Sequence, residues 1–315
     1  MPATAHTTRR TGALGIHSVN HVCLAVPDLE KAQQFYGAFG LKTQASGNSL
    51  DLYTEGHSHR WAHLIEGPRK LLQHVSFGAY TDDLPRFTQH LKQQGIELLR
   101  SPAGSDERGL WFRSPQGHVF ELRAAEKSSP NEKSSFGLEP AASPTRGTIR
   151  RSEAPIVRPR RLSHVALYTP DVGGSIDFLS RALGMRLSDR SLDIVAFLHG
   201  VHGSDHHMIA LVKSPAPGFH HVSWDVGTAQ DVGLGAMQMA VSGYAAGWGM
   251  GRHVLGSNYF HYVRDPWGSY SEYSAAMDYI PSDIDWQSTD SPPEDSMFLW
   301  GPPPPQDFIT NFEAQ

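Results

Sequence analysis

Short runs of alternating apolar and polar residues recur along the chain, and each predicts a β-strand. The first run, HVCLAV, begins at His21; DLEKAQQFYGAFG follows it and predicts a helix with Asp28 as its N-cap and Gly40 near its end. The runs SLDLYTE, RWAHLIEG and LQHVSFGAY predict further strands, and DLPRFTQHLKQQG predicts a second helix. The predicted order is strand, helix and three strands, with a further helix inserted.

The same pattern occurs a second time, about 140 residues later. VNHVCLAVPDLEKAQQFY begins at Val19, and LSHVALYTPDVGGSIDFL begins at Leu162. Each copy contains a later His-Val-Ser and closes on a Pro-x-Gly turn that leads to a glutamate. A repeat of this length predicts two related domains. In register, the copies match His21 with His164, His74 with His221 and Glu121 with Glu272.

Changes in composition divide the chain. Residues 1–15 are predicted to form an N-terminal arm, 16–124 the first domain and 161–280 the second domain. Residues 125–160 are rich in Ser, Pro, Glu and Arg, which predicts a linker or a segment draped over the surface. Residues 281–315 form a Pro-rich tail that is expected to wrap the surface or to be mobile. The fold class expected is α+β.

Bulk composition restricts the possible partners. The net charge of −5 and the lack of a basic face exclude nucleic acid as an expected partner, and no apolar run is long enough to span a bilayer. The single cysteine, Cys23, excludes a disulfide framework and favours a cytoplasmic protein. The 18 histidines are a reason to look for a metal site.

His164, His221 and Glu272 are the candidate metal ligands, all predicted on strands. Two imidazoles and one carboxylate on one face of a metal leave the other positions open, as in the non-haem Fe(II) oxygenases. One histidine alone is more often a packed or surface residue, but the same three types recur in order in both copies. His220 adjoins His221, and only the His-Val pairing shared with the other copy selects His221.

Three further motifs surround the second copy. The segment HMIAL begins at His207, the pair Arg252-His253 precedes Glu272 by nineteen residues, and Tyr262 precedes it by ten. With these motifs the chain resembles the type I extradiol ring-cleavage dioxygenases of the vicinal oxygen chelate superfamily, which include catechol 2,3-dioxygenase and 2,3-dihydroxybiphenyl 1,2-dioxygenase. The resemblance covers residues 16–124 and 161–280. It implies two tandem domains built from paired βαβββ modules, each forming a curved mixed sheet around a cavity.

The resemblance also implies an activity. A small catechol-type aromatic diol would be cleaved beside its hydroxyls by O₂ at a mononuclear Fe(II) site, with Mn(II) as the alternative metal. The product would be a hydroxymuconic-semialdehyde-type compound of aromatic degradation, and a homo-oligomer is expected. By resemblance the metal ligands are His164, His221 and Glu272, and the catalytic residues are His207, His253 and Tyr262.

Individual residues leave alternatives. Only the strand pattern favours His207 over the adjoining His206, while Tyr262 also fits a core aromatic and His253 a loop residue facing water. The candidate substrate-pocket residues are His206, Trp248 and Asn258. Relatives that act on carboxylated rings have an arginine in the stretch where this chain has GYAAGWGMG. Its absence predicts an uncharged or apolar ring.

The first copy keeps His21, His74 and Glu121 but differs elsewhere. Counting back from Glu121 places Trp111 where the second copy has Tyr262, and Pro102 where it has His253. His59 falls near the place of His207. The first domain is therefore predicted to be non-catalytic, and whether its triad binds a metal is left open.

Two other functions fit parts of the pattern. One is a glyoxalase- or epimerase-like lyase that uses Ni, Zn or Co, and the other is a non-catalytic small-molecule binding protein similar to the bleomycin-resistance proteins. The lyase has no use for the set of His207, His253 and Tyr262, and the binding protein has no use for the triads. Metal content discriminates the three functions.

Overall fold

The computed structural model describes residues 8–102, 108–135 and 141–314. Each repeat forms one large mixed sheet with helices packed against it, which confirms the predicted α+β fold of two tandem domains. Among the described residues, no helix has the length and apolar composition needed to cross a bilayer.

The elements of the first domain, in chain order, are β1 (Ser18–Val26), α1 (Leu29–Ala38), β2 (Lys42–Ser46), β3 (Ser49–Tyr53), β4 (Arg60–Glu66), β5 (Leu71–Ala79), α2 (Leu84–Gln93), β6 (Leu98–Leu99), β7 (Leu110–Arg113) and β8 (Val119–Ala124). Those that follow are β9 (Arg161–Thr169), α3 (Val172–Leu183), β10 (Arg186–Ser191), β11 (Val195–His199), β12 (Ser204–Asp205), β13 (Ile209–Lys213), β14 (Gly218–Asp225), α4 (Ala229–Val241), β15 (Gly247–Arg252), β16 (Tyr259–Arg264), β17 (Tyr270–Ala275), β18 (Tyr279–Ile280) and β19 (Thr289–Asp290).

Each sheet consists of two βαβββ modules joined along their first strands. The first sheet has the order β2-β3-β4-β1-β5-β8-β7-β6, with β1 antiparallel to β5 and parallel to β4. The second has the order β15-β16-β17-β14-β9-β13-β11-β10-β19, with β9 antiparallel to β14 and parallel to β13. Strand β19 comes from the C-terminal tail and lies parallel to β10, so the tail extends the second sheet.

The first helix of each domain begins at the aspartate of the repeated Pro-Asp. The side chain of Asp28 accepts a hydrogen bond from the Lys31 N–H at 2.8 Å, which caps α1. In the second repeat, Asp171 caps α3 in the same way by accepting from the Gly174 N–H at 2.9 Å. Helix α3 ends at Gly184, whose φ of +67° is a left-handed conformation that glycine adopts without steric cost.

The two domains pack against each other through buried groups. The rings of Phe39 and Tyr273 stack with centroids 3.8 Å apart, and the Tyr273 hydroxyl donates to the Phe39 carbonyl at 2.9 Å. Lys70 and Asp265 form an ion pair across the same boundary, and both side chains are buried. Breaking one partner of such a pair leaves an uncompensated charge, so these contacts hold the domains together.

The tail packs closely against the second domain. The Tyr168 hydroxyl donates to the Thr310 carbonyl at 3.1 Å, and the Asn311 side-chain amide donates to the Ala216 carbonyl at 3.0 Å. Phe308 is only 7% exposed. The tail therefore joins the core of the second domain, in the region where the candidate site residues lie.

Candidate metal centre

Three neighbouring strands carry the predicted metal ligands. His164 lies on β9, His221 on β14 and Glu272 on β17. Ser223 of the central strand, β14, pairs with both His164 and Glu272, so the sheet register brings residues from distant parts of the chain side by side. All three ligand side chains are buried.

The ligand atoms of this triad fit one metal ion. The Nε2 atoms of His164 and His221 are 3.0 Å apart, and Glu272 Oε2 lies 3.2 Å from the first and 3.6 Å from the second. Atoms bound at about 2.1 Å from one metal, at right angles, lie about 3 Å apart. Three lone-pair-bearing groups converge in a buried place, and a divalent cation satisfies them together. The residues present therefore fit the metal that the triad implies.

A second histidine fixes the tautomer of His221. His221 Nδ1 and His220 Nδ1 are 2.6 Å apart, and His220 also hydrogen bonds to the backbone of Phe308. Because a carbonyl only accepts, His220 donates to Phe308 through Nε2, so its Nδ1 accepts the Nδ1–H of His221. This chain of hydrogen bonds leaves the Nε2 lone pair of His221 facing the metal position.

Glu272 is held by Asn258 and charged by its surroundings. The Asn258 side-chain amide donates to Glu272 Oε1 at 3.3 Å and to the Ser274 hydroxyl at 3.0 Å. Burial alone would raise the pKa of Glu272, but the hydrogen bond and charge of His164 lower it below its ordinary value. The carboxylate is therefore ionised, as a metal ligand must be.

His207 lies beside the triad, and His206 lies behind it. The rings of His207 and His164 have centroids 4.2 Å apart. His206 Nε2 donates to Asp189 at 2.7 Å, so its Nδ1 accepts the Nδ1–H of His207 at 3.1 Å. Asp189 in turn accepts from the backbone N–H and the hydroxyl of Thr289 in β19, both at 2.6 Å. Burial lowers the pKa of His207 well below that of an ordinary imidazole.

His253 and Tyr262 form a hydrogen-bonded pair that the tail orients. The Met297 carbonyl accepts from His253 Nδ1 at 2.6 Å, so His253 Nε2 accepts from the Tyr262 hydroxyl at 2.9 Å. Burial, with a contribution from Glu272, raises the pKa of Tyr262 well above its ordinary value, which keeps the phenol neutral. Trp248 stacks on Tyr262 with centroids 5.5 Å apart and donates to the Pro302 carbonyl at 2.7 Å.

A cavity of about 140 Å³ opens beside the triad. An apolar cavity of about 150 Å³ is enough to bind benzene. Polar residues of its lining include His164, His207, His221, His253, Asn258 and Tyr262, and apolar ones include Phe197, Trp248, Leu255, Met297, Phe308 and Ile309. Among the described residues that line it there is no arginine, lysine, aspartate or glutamate.

The three candidate pocket residues have different places. Trp248 and Asn258 line the cavity, whereas His206 does not and lies between Asp189 and His207. The structure therefore gives His206 a position that orients His207 rather than a contact with a ligand in the cavity.

A sequence model of the Glyoxalase/Bleomycin resistance protein/Dioxygenase superfamily matches residues 18–122 and 161–273. The chain belongs to this superfamily. It is 48% identical to metapyrocatechase 2 of Cupriavidus necator over 299 residues, which cover 95% of this chain and 93% of that protein. It is 23% identical to a manganese-dependent 2,3-dihydroxybiphenyl 1,2-dioxygenase of Geobacillus genomosp. 3, over 86% of this chain and 89% of the relative.

A solved structure shares the fold. The Mn(II)-bound glyoxalase from Novosphingobium aromaticivorans superposes with a TM-score of 0.75 at 24% identity, covering 93% of this chain and 94% of the other. The near full-length match to a metapyrocatechase, with the buried His-His-Glu triad, shows that this superfamily member is an extradiol dioxygenase of the catechol 2,3-dioxygenase type. The same findings indicate Fe(II), with a manganese-dependent relative for comparison. They favour the dioxygenase over the lyase and the binding protein.

The first domain places a similar triad in the same register. Trp111 pairs with Glu121 across the sheet, as Tyr262 pairs with Glu272, so counting back from the glutamate placed Trp111 correctly. The register of β4 on β1 places Arg60, and not His59, at the position of His207. His59 Nε2 instead donates to the Asn20 carbonyl at 2.7 Å.

Sequence reasoning missed the residues that hold the site from behind. The sequence pattern presents His220 only as an alternative to His221, and it does not indicate Asp189 or the backbone carbonyls of Met297 and Phe308. The doublets His206-His207 and His220-His221 were the available signal, because in each doublet one histidine hydrogen bonds to the other and orients it.

Proposed function

We propose that the second domain, residues 161–280, cleaves an uncharged or apolar catechol-type diol with O₂ at Fe(II) held by His164, His221 and Glu272. The ring bond broken lies next to the diol and not between its two oxygens, and the product is a hydroxymuconic-semialdehyde-type compound. Mn(II) is the alternative metal, because the ligand set suits both ions. The first domain, residues 16–124, is non-catalytic in this proposal.

One observation carries the choice of substrate. The cavity beside the triad has aromatic and aliphatic walls, and no charged side chain lies among the described residues that line it. A ring carboxylate entering this cavity would lose its hydration without gaining an ion-pair partner, which costs several kcal/mol. An uncharged ring gains instead from burial against Trp248 and Phe308.

When bound, the metal supplies a Lewis acid and a template that brings the diol and O₂ together. The chain's own part begins with Tyr262 and His253. Since His253 Nδ1–H donates to the Met297 carbonyl, His253 Nε2 is the atom available to accept a proton. A diol hydroxyl can pass its proton to this nitrogen directly, after displacing the Tyr262 hydrogen bond, or through the Tyr262 oxygen while that hydrogen bond is kept.

His207 is proposed as the second proton-transfer group. Its Nδ1–H is held by His206, so Nε2 is the atom that would accept a proton and return it to the reacting substrate. Asp189 stabilises the pair through His206, as the carboxylate behind a catalytic histidine does in other enzymes. Fixing both ring orientations in advance lowers the cost of reaching the reactive geometry.

We further propose a cytoplasmic homo-oligomer. The one cysteine is free and buried, which suits a reducing compartment. Leu299 and Trp300 of the tail are 65% and 45% exposed, and adjacent apolar side chains of this kind favour a subunit contact. Light scattering coupled to size exclusion measures the assembly, and a monomer at micromolar concentration would contradict this part.

A substrate panel tests the proposed substrate class. The enzyme, reconstituted anaerobically with Fe(II), is given catechol, 3-methylcatechol, 2,3-dihydroxybiphenyl and the carboxylated 3,4-dihydroxyphenylacetate, and the rate of yellow product is followed after air is admitted. The kcat/KM of the uncharged diols should exceed that of the carboxylated diol by at least about 100-fold, as expected for an uncompensated buried charge. A preference for the carboxylated diol would refute the substrate class.

A further inference from the structure

We propose that the first domain holds a second, non-catalytic site, in which His21, His74 and Glu121 bind a divalent cation together with a small ligand that bears a carboxylate or a phosphate. This site is separate from the ring-cleavage site and has its own cavity.

The first-domain triad brings the same three ligand types together, more loosely than the catalytic triad does. His21 lies on β1, His74 on β5 and Glu121 on β8, which are the counterparts of the strands that carry the catalytic triad. Each residue offers a ligand atom, and these atoms all lie within 4.8 Å of one another. His21 Nε2 and Glu121 Oε2 are 4.0 Å apart, and all three side chains are buried.

Neighbouring groups orient the ligands toward a shared point. The Asn20 side-chain oxygen accepts from His21 Nδ1 at 2.9 Å, so the Nε2 lone pair of His21 is the one that faces Glu121. The Ser76 hydroxyl donates to Glu121 Oε2 and fixes the carboxylate from the side. An outer group that fixes the ligand tautomer is typical of a working metal site.

The groups that transfer protons in the second domain are replaced here. Arg60 occupies the register position of His207, and a guanidinium does not release its proton at ordinary pH. Trp111 occupies the position of Tyr262, and its ring packs edge-on against His74 with centroids 4.7 Å apart. The triad therefore keeps the means to bind a metal without the groups that act on a bound diol.

The cavity over this triad differs in charge from the catalytic cavity. Its volume is about 610 Å³, and four arginines line it: Arg60, Arg100, Arg113 and Arg123. Two of them also form ion pairs, Arg60 with Asp51 at 3.5 Å and Arg123 with Glu121 at 3.7 Å. Glu121 is the one carboxylate among the described residues of its lining. Guanidinium groups match the forked geometry of carboxylates and phosphates, so an anion that also reaches the metal is the ligand class this cavity suits.

Metal counting tests the cation. The full-length protein is loaded with Mn(II), which does not oxidise in air as Fe(II) does, and the bound metal per chain is measured by atomic emission after desalting. The wild type should hold two ions, Glu121→Gln one, Glu272→Gln one and the double variant none. A count that Glu121→Gln leaves unchanged would overturn the second site. One ion that Glu121→Gln removes and Glu272→Gln keeps would instead count against the metal of the proposed catalytic site. The count does not depend on ring cleavage, and the effect of Glu121→Gln on it reports on the first-domain triad alone.

Folding is controlled within the same series. Circular dichroism and thermal unfolding of each variant are compared with the wild type, and His74→Gln serves as a second first-domain variant should Glu121→Gln lose its fold. His74→Gln should also reduce the count from two ions to one. A folded His74→Gln protein that keeps two ions would contradict the assignment.

Calorimetry tests the anion. The Glu272→Gln protein, with Mn(II) only in the first domain, is titrated with oxalate and, separately, with inorganic phosphate. At least one of these probes should bind, binding should need Mn(II), and Arg60→Met should weaken it about tenfold or more. The probe that binds more tightly identifies the ligand as a carboxylate or a phosphate. Binding of neither probe, or binding that is unchanged without Mn(II) or by Arg60→Met, would overturn the anion part.

Discussion

His220→Phe is expected to loosen the metal although His220 does not touch it. The His221 Nδ1–H donates to His220 Nδ1 at 2.6 Å inside the protein, and phenylalanine has a similar volume but no acceptor. A buried donor without a partner costs about 1–3 kcal/mol, and His221 then relieves this cost by moving its proton to Nε2, the metal-binding atom. Since about 1.4 kcal/mol corresponds to a tenfold change in a dissociation constant at room temperature, the metal affinity should fall about 10- to 100-fold.

The assay is ring-cleavage activity as a function of free Fe(II). Apoenzyme is mixed anaerobically with a series of buffered Fe(II) concentrations, and initial O₂ uptake on catechol gives the half-saturating concentration of the catalytic site alone. His261→Phe is the matched control, since its buried Nδ1 has no hydrogen-bond partner among the described residues and strand alternation points it away from Tyr262. A half-saturating Fe(II) concentration for His220→Phe within twofold of the wild type would show that His220 does not control metal binding through His221.

Three other changes separate the remaining roles. His207→Phe should keep the metal but lower kcat about 100- to 10,000-fold, and a kcat within tenfold of the wild type would contradict the proton-transfer role. Asp189→Asn should lower kcat about tenfold with unchanged metal content, because Asp189 is linked to His207 through His206; loss of metal would contradict this. Burial raises the pKa of Glu313 to about 7, so its ionisation destabilises the fold as pH rises from about 4.5 through 7. Glu313→Gln keeps an acceptor for the Leu72 N–H, and its Tm relative to the wild type should rise between pH 5 and pH 8; a constant difference would contradict the assignment.

The repeat made most of the fold predictable. Both copies use strand periodicity and a Pro-Asp helix start, so Asp28 and Asp171 mark two helices that the structure contains. The two triads could also be predicted from the sequence, because each ligand lies at the same position of the repeated pattern. The repeat could not predict where the C-terminal tail packs, because the tail has no counterpart in the first copy.

The tail supplies contacts that no local pattern encodes. Three tail residues hydrogen bond to groups that orient the site. Thr289 contacts Asp189, Met297 contacts His253 and Phe308 contacts His220. All three lie far along the chain from the strands that they contact. A Pro-rich composition predicts only that such a segment is extended. Its docking depends on tertiary packing against the second sheet, which the sequence pattern does not specify.

Strand register identifies the first-domain counterpart of His207, which counting residues along the sequence left uncertain. His59 lies near the place of His207 by sequence, but strand pairing puts Arg60 there. A shift of one residue moves a side chain to the other face of a strand, so the difference changes the chemistry of the cavity. It turns a neutral proton-transfer position into a cationic one in the first domain.

Oxygen incorporation is the most direct test of extradiol cleavage by the second domain. The Fe(II)-reconstituted enzyme is given catechol under ¹⁸O₂, and O₂ uptake is measured while the product is identified by mass spectrometry. Extradiol cleavage predicts one O₂ consumed per diol and a hydroxymuconic semialdehyde that carries both labelled atoms, apart from exchange of the aldehyde oxygen with water. Loss of this product in Glu272→Gln should accompany loss of one metal ion. No O₂ uptake by the iron-loaded enzyme on any diol of the panel, or a product opened between the two hydroxyls, would contradict extradiol cleavage at this site.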